Sequence, residues 1–308
     1  MALTLIEAAK LASGDVLRSA ILELYAGSSP IMEVLPFVDI NGNALKYNRE
    51  GSLPGIGFRG VNEAFESSTG VLNPMIEPLV IAGGDLDVDR FILNTMGQNQ
   101  RSVQEAMKVR ALGLMLTRKF IKGDQTTDPR EFDGLQTRVT GSQLIPAGAT
   151  ANGTPLSLGV LDEAIDQTLN PTHIIMNKKM ARRLTTASRS SAVAGDLQFS
   201  VNDFGRRIAS YNGLPILTMD LDGTGSEILG FNEASTSGTA TSTSIYVVSL
   251  GGDGVTGIQS GGVSVRDLGE LQTAPVFRTR VEWFMGIAVF NGRSVTRIWS
   301  ISDAPVTA

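Results

Sequence analysis

The 308-residue chain has no cysteine, which removes disulfides, thiolate metal sites, iron–sulfur clusters and cysteine nucleophiles together. It has one histidine, His173, so a zinc site built from several imidazoles is excluded as well. There is no basic excess. The 26 basic and 31 acidic residues leave a net charge of −5, whereas a protein that grips nucleic acid needs a basic face to neutralise phosphates. No window approaches the ~18 consecutive apolar residues of a membrane-spanning helix. Residues 1–27 mix acidic and basic groups into their apolar stretches, unlike a signal peptide. These absences lead to the expectation of a soluble protein made and kept in the cytoplasm. Hydrophobic residues make up 42% of the chain, enough to bury a substantial core in one or two domains.

What is present is organised around residues 86–122, which read as one unusually long helix. At ~1.5 Å per residue it would span roughly 50 Å. Asp85, Asp87 and Asp89 open it, where the helix dipole favours negative charge, and Lys119, Lys122 and Gly123 close it. Val88, Ile92, Met96, Val103, Met107, Leu114 and Ile121 recur at helical spacing. Two helices broken at Gly97 or Gly113 are the alternative. Ahead of it, residues 4–26 form an amphipathic helix with Leu5, Ala9, Ala12, Val16, Ala20 and Leu24 on one side, ended by Gly27-Ser28-Ser29-Pro30.

Between these helices, residues 31–84 form a long extended excursion. Strands over 34–40 and 44–48 flank Asn41-Gly42, a two-residue hairpin signal. A returning strand over 71–81 is confined to an edge or an irregular ribbon by Pro74 and Pro78. The excursion has little apolar content to bury, and Arg49, Glu50, Arg59, Glu63 and Glu66 alternate in sign. Compact domains rarely carry such a loop without a use, either as a lid over an active site or as an arm on a neighbouring subunit.

Beyond residue 123 come a turn region over 124–133, a short strand over 134–139 and a small-residue joint over 148–155. Residues 156–274 read as an α/β unit. It contains a helix over 158–169 stopped by Asn170-Pro171, a strand over 173–176 and a basic helix over 178–187. Strands follow over 208–219, 226–231 and 245–250, with loops over 235–244 and 251–262. A long strand over 276–290 places Arg278, Arg280 and Glu282 on one side, with Val281 and Trp283 alternating between them, and a final strand covers 295–301. Sheet-forming segments on both sides of the α/β unit point to its insertion into an outer unit.

The chemistry is sparse. Gly252-Asp253-Gly254-Val255-Thr256-Gly257 matches a dinucleotide fingerprint, but no helix follows to cradle a pyrophosphate. Asp39, Asn41, Asn43 and Glu50 fit calcium-loop positions, yet Ala44 stands where glycine is required and strands flank the segment. His173 lies at a strand end without a serine elbow elsewhere, and reads as a structural histidine. Lys178, Lys179, Arg182, Arg183 and Arg189 form a basic patch suited to a solvated or subunit-facing surface. Asp162, Glu163 and Asp166 read as one solvated helix face. No catalytic, cofactor-binding or metal-binding residue is assigned.

The order of elements resembles the major capsid protein of tailed bacteriophages, the Hong Kong 97-type fold that encapsulin shells share. Phe58-Arg59-Gly60-Val61-Asn62-Glu63 and the segment from Arg280-Val281-Glu282 to Ala288-Val289-Phe290 also carry that resemblance. It implies an α+β fold with an N-arm at 1–30 and an extended loop (E-loop) at 31–84. A peripheral domain with a long spine helix would comprise 85–150 and 275–291, and an axial domain 151–274 and 292–308. It further implies a non-enzymatic subunit that assembles, as pentamers and hexamers, into an icosahedral head around double-stranded DNA. The virion would then be its location and the host cytoplasm its place of assembly. The implied partners are further copies of itself, a separate scaffolding protein, a portal and decoration proteins, with DNA enclosed but not read, and no cofactor. Arg59, Glu63 and Glu66 are the expected charged contacts between subunits. The alternatives are an encapsulin-like compartment around a cargo enzyme, and an enzyme with 31–84 as its lid.

Overall fold

A computed structural model describes residues 3–4, 29–96, 99–189, 197–201, 207–236, 238 and 240–307. The helix expected over 4–26 lies outside the described residues except for Thr4, which is in a strand. In chain order the elements are β1 (Leu3–Thr4), α1 (Pro30–Val34), β2 (Pro36–Asp39), β3 (Ala44–Ser52), β4 (Val71–Pro78), β5 (Val80–Asp89), α2 (Arg90–Met96) and α3 (Asn99–Lys122). Then come α4 (Leu135–Arg138), β6 (Leu144–Pro146), α5 (Leu158–Gln167), β7 (His173–Asn177), α6 (Lys178–Ala187), β8 (Leu197–Val201), β9 (Arg207–Tyr211) and β10 (Leu214–Met219). The chain ends with β11 (Glu233–Ala234), β12 (Ala240–Val248), β13 (Val255–Glu270), β14 (Val276–Val289) and β15 (Val295–Ser302).

Among the described residues these strands form three sheets. One has the order β1-β2-β13-β14-β5, with β14 antiparallel to both neighbours. The second runs β6-β15-β12-β7-β10-β9-β8, with β11 added on β12. The third is the two-stranded ribbon β3–β4, antiparallel from Ala44↔Pro78 to Ser52↔Val71. The middle of the second sheet is buried on both faces. Along β12, Tyr246 and Val248 enter one apolar cluster while Ile245 and Val247 enter the other, as the two-residue repeat of a strand requires. The first cluster joins Trp283, Met285 and Ile287 of β14 to the inner face of α3; the second packs Leu161 and Ala164 of α5 and Met180 and Leu184 of α6 on the opposite face of the sheet.

The spine helix is shorter than its sequence pattern indicates. Residues 86–89 belong to β5, α3 has 24 residues, and its ~1.5 Å rise per residue makes it roughly 36 Å long. Of the three aspartates expected at a helix start, only Asp89 serves there, accepting a 2.7 Å hydrogen bond from the Phe91 N–H. Asp85 and Asp87 lie on the strand. Their spacing from Asp89 is two residues, a strand period, and arginines across the sheet take them up. The buried stripe of α3 is Val109, Leu112, Leu116 and Phe120, while Met107 stands exposed.

Other expectations change for tertiary reasons. Asn41-Gly42 is not a hairpin turn, because β2 joins β13 and β3 joins β4 in another sheet. The hairpin forms instead at Asn212-Gly213, where both residues have positive φ (49° and 79°), splitting the strand expected over 208–219. Residues 134–139 contain the short helix α4. Residues 226–231 are a bridge and turns, the polar stretch 235–244 feeds into buried β12, and 251–262 opens the 16-residue β13. Gly257 is tolerated inside β13 because a Cβ there would lie 2.4 Å from the Phe37 ring. That strand hydrogen-bonds to β14, so the region over 151–274 contributes to the sheet of the long returning strand.

Candidate assembly surfaces

Among the described residues, the β3–β4 ribbon is held to the body at its base. Tyr47 and Arg49, two residues apart on β3, share a face, and both donate to the Val289 carbonyl, at 2.9 and 2.6 Å. The Tyr47 ring meets Phe290 edge-on, with centroids 4.9 Å apart. Burial, with Glu77 beside it, raises the Tyr47 hydroxyl above its ordinary pKa. Glu77 on β4 is buried and receives both arms of the Arg138 guanidinium, at 2.5 and 2.7 Å. Arg138 also donates to the carbonyls of Asp133 (2.7 Å) and Ile287 (3.3 Å). Sequence reading missed this cluster, since its members stand up to 242 residues apart and share no local pattern.

Beyond the base, residues 50–74 are exposed throughout. The tip is nonetheless shaped. Glu63 accepts a 2.9 Å bond from the Gly60 N–H, Arg59 donates to the Glu63 carbonyl at 3.1 Å, and the Arg59 guanidinium lies 5.1 Å from the Phe65 ring centre. Asn62, with φ of 68°, turns the chain between them. Of the three residues expected at subunit contacts, the fold therefore brings Arg59 and Glu63 together within one loop. Glu66 has no hydrogen-bond or ion-pair partner among the described residues. Leu53, Ile56 (97% exposed), Phe58, Val61 and Phe65 present their apolar side chains to solvent. An exposed apolar group of this size marks a contact surface.

The returning strand β14 has the expected register. Arg278 sits opposite Asp87 and Arg280 opposite Asp85, each in a two-pronged pair at 2.6–2.8 Å. Glu282, on the same face, pairs with Arg266 of β13. The guanidinium hydrogen bonds hold the Asp85 and Asp87 carboxyls below their ordinary range. Val281 and Trp283 point the other way into the core. Next to them Thr279 donates to Glu105 of α3 at 2.8 Å, tying the sheet to the spine helix.

The remaining sequence candidates lie apart from one another. His173 bonds Thr172 Oγ1 at 3.0 Å, and burial pulls its pKa down to about 4. Residues 252–257 lead into β13, with no helix following. Asp39 and Glu50 belong to different sheets, and among the described residues no group of three or more His, Asp or Glu is placed to hold a metal ion. The basic helix α6 is partly neutralised: Lys178 pairs with Asp220, and Lys179 and Arg183 with Asp303. Asp162 accepts from the Tyr211 hydroxyl at 2.8 Å. No described helix is long and apolar enough to cross a membrane.

No protein-family model matches the chain, and no curated protein sequence matches it. Solved structures do. The holo-SrpI encapsulin complex of Synechococcus elongatus PCC 7942 is similar over 90% of this chain and 89% of its own, with a TM-score of 0.65 at 16% identity. A capsid of the native GTA particle is similar over 89% and 91%, with a TM-score of 0.64 at 14% identity. A structure from Microbacterium phage Oxtober96 covers 89% and 90%, with a TM-score of 0.63 at 13% identity. The chain has the Hong Kong 97-like capsid fold. The identities lie far below the level at which sequence alone carries function, so the fold is what the likeness establishes.

Proposed function

We propose that the chain is the major capsid protein of a tailed phage, assembling as pentamers and hexamers into an icosahedral head around double-stranded DNA. The observation that carries this reading is the extended ribbon. Its pre-shaped tip bears five exposed apolar side chains that no other described part of the chain covers. A second copy supplies the covering surface, with Arg59, Glu63 and Glu66 making charged contacts around the apolar centre. The division follows the order of elements: N-arm 1–30, extended loop 31–84, peripheral domain 85–150 with 275–291, and axial domain 151–274 with 292–308. On this reading the subunit is structural rather than enzymatic, resides in the virion and is assembled in the host cytoplasm. A scaffolding protein and a portal are its partners. The net charge of −5 suits a wall that encloses DNA without adhering to it.

A second reading, an encapsulin-like compartment around a cargo enzyme, is favoured by the similarity to an encapsulin at a TM-score of 0.65. Electron microscopy of the purified protein, with nucleic-acid content assayed alongside, separates the readings. Closed shells containing DNA support the phage head, and shells containing protein cargo support the compartment. A stable monomer that forms no capsomers, even with its scaffold supplied, overturns both.

A further inference from the structure

A two-stranded ribbon is marginally stable by itself, so its direction is set by whatever anchors its base. Here the anchor is small. The body-facing side chains are Tyr47, Arg49 and Glu77, and the sole charged partner they meet across the joint among the described residues is Arg138. The Arg138 guanidinium reaches three separate segments at once: Glu77 of β4 through two bonds, the Ile287 carbonyl of β14, and the Asp133 carbonyl ahead of α4. A planar fork with five fixed donors can hold that geometry, and a lysine ammonium cannot. Glu77 and Arg138 are both largely buried, so neither is satisfied by water when the other leaves.

The ribbon is also a lever. Beyond its last body contact at Arg49, β3 extends roughly 10 Å at ~3.3 Å per residue over 50–52, and the loop over 53–70 carries the tip further out. A rotation at the base is therefore magnified at the tip and carries its apolar side chains away from a surface complementary to them.

We propose that the Arg138–Glu77 clasp fixes the angle at which the ribbon leaves the body, making Arg138 a positioning residue for contact between subunits. The inference rests on the shell reading, and its first test does not. Amide hydrogen exchange of the unassembled full-length subunit reads the clasp directly. Arg138→Gln should speed exchange in β3 and β4 about tenfold while leaving β12 and β15 unchanged, because a lost local anchor opens a local unit. Shells built from this variant should show a broader spread of diameters than wild type. Arg138→Lys, which keeps the charge without the fork, should fall between the two. Glu77→Gln is the companion if Arg138→Gln fails to fold, since it leaves Arg138 its two carbonyl acceptors. Unchanged ribbon exchange in both variants overturns the clasp. Equal acceleration along the whole chain reduces Arg138 to general stability. A loosened ribbon with unaltered shells overturns the positioning role. If the wild-type chain forms no shell under any condition, the proposed function fails and the positioning role with it, while the exchange data still decide whether the clasp exists.

Discussion

Two stretches of this chain invert the usual relation between polarity and burial. Ser242, Thr243 and Ser244 on β12 are fully buried, whereas Ile56, Phe58, Val61 and Phe65 at the ribbon tip stand in solvent. The polar stretch is buried because its hydroxyls are matched. Ser242 donates to the Glu233 carbonyl at 2.9 Å, Thr243 to the Leu229 carbonyl at 3.2 Å, and Ser244 to the Glu233 carboxylate. Arg297 ties the last two together, at 3.0 Å to Ser244 Oγ and 3.0 Å to Glu233 Oε2, and the Lys122 ammonium lies 3.3 Å from Glu233 Oε1. Buried polar groups persist when each finds a partner. The apolar stretch is exposed because a two-stranded ribbon has no third layer on which to lay it. One region thus finds its partners within its own chain, whereas among the described residues the other finds none.

The largest test of that contrast is Arg297→Ala. It leaves the buried Glu233 carboxylate with Lys122 as its only cation, and removing one member of a buried pair costs about 3–5 kcal/mol. Denaturant unfolding checks it, and a loss below about 1 kcal/mol would mean that the polar network does not hold β12 in place. Asp222→Ala should cost about 1–2 kcal/mol, since the buried Asp222 carboxylate caps Thr224 and Ser226 and meets Arg118 of the spine helix at 2.5 Å. Thr224, Ser226 and Arg118 together pull its pKa from 3.8 to about 2. The stabilisation is therefore complete above pH ~4 and lost as pH falls toward 2, so wild type and the variant should converge in acid.

His173 gives a smaller effect with its own window. Its pKa falls from 6.5 to about 4 on burial, so between those values the unfolded chain takes up a proton that the folded chain refuses. Stability should decline as pH drops from 6.5 toward 4, and His173→Gln should flatten that part of the pH–stability curve. The smallest effect on the subunit, and the sharpest on the comparison, is expected for Ile56→Ser with Phe58→Ser. Unfolding should shift by under about 0.5 kcal/mol, as for other surface changes, while particle yield falls steeply. A destabilised subunit with normal assembly would show that the tip packs on its own chain. Glu66→Lys, which disturbs no bond within the loop, tests the charged part of the same contact through the salt dependence of assembly.

Much of the fold was legible wherever one local signal dominated. The basic helix was expected over 178–187 and is α6, Lys178–Ala187, started by an Asn177 side chain that accepts from the Lys179 N–H. The alternation of Arg278, Arg280 and Glu282 against Val281 and Trp283 correctly placed both faces of β14. Errors arose where two signals shared the same residues. Asp85, Asp87 and Asp89 read as an acidic helix start, yet their two-residue spacing equally matches Arg278 and Arg280 on a strand nearly 200 residues away. Ser242 and Ser244 fall in a stretch that reads as a loop because their partners, Glu233 and Arg297, are recognisable only in three dimensions.

The sequence by itself determined the negative facts and the repeating ones. Without cysteine and with one histidine, thiolate and multi-histidine chemistry are closed. Two-residue and 3.6-residue periods mark strands and helices because each element buries one face. Proline and sparse apolar content keep residues 50–74 exposed, while Ile31, Met32, Leu35 and Phe37 ahead of them enter the core. Tertiary structure decided which of four Asn-Gly pairs turns a hairpin, which aspartates cap a helix or answer an arginine, and where Arg138 meets Glu77. Those outcomes depend on pairings between distant residues, whose energies exist only once the chain has brought them within a few ångströms.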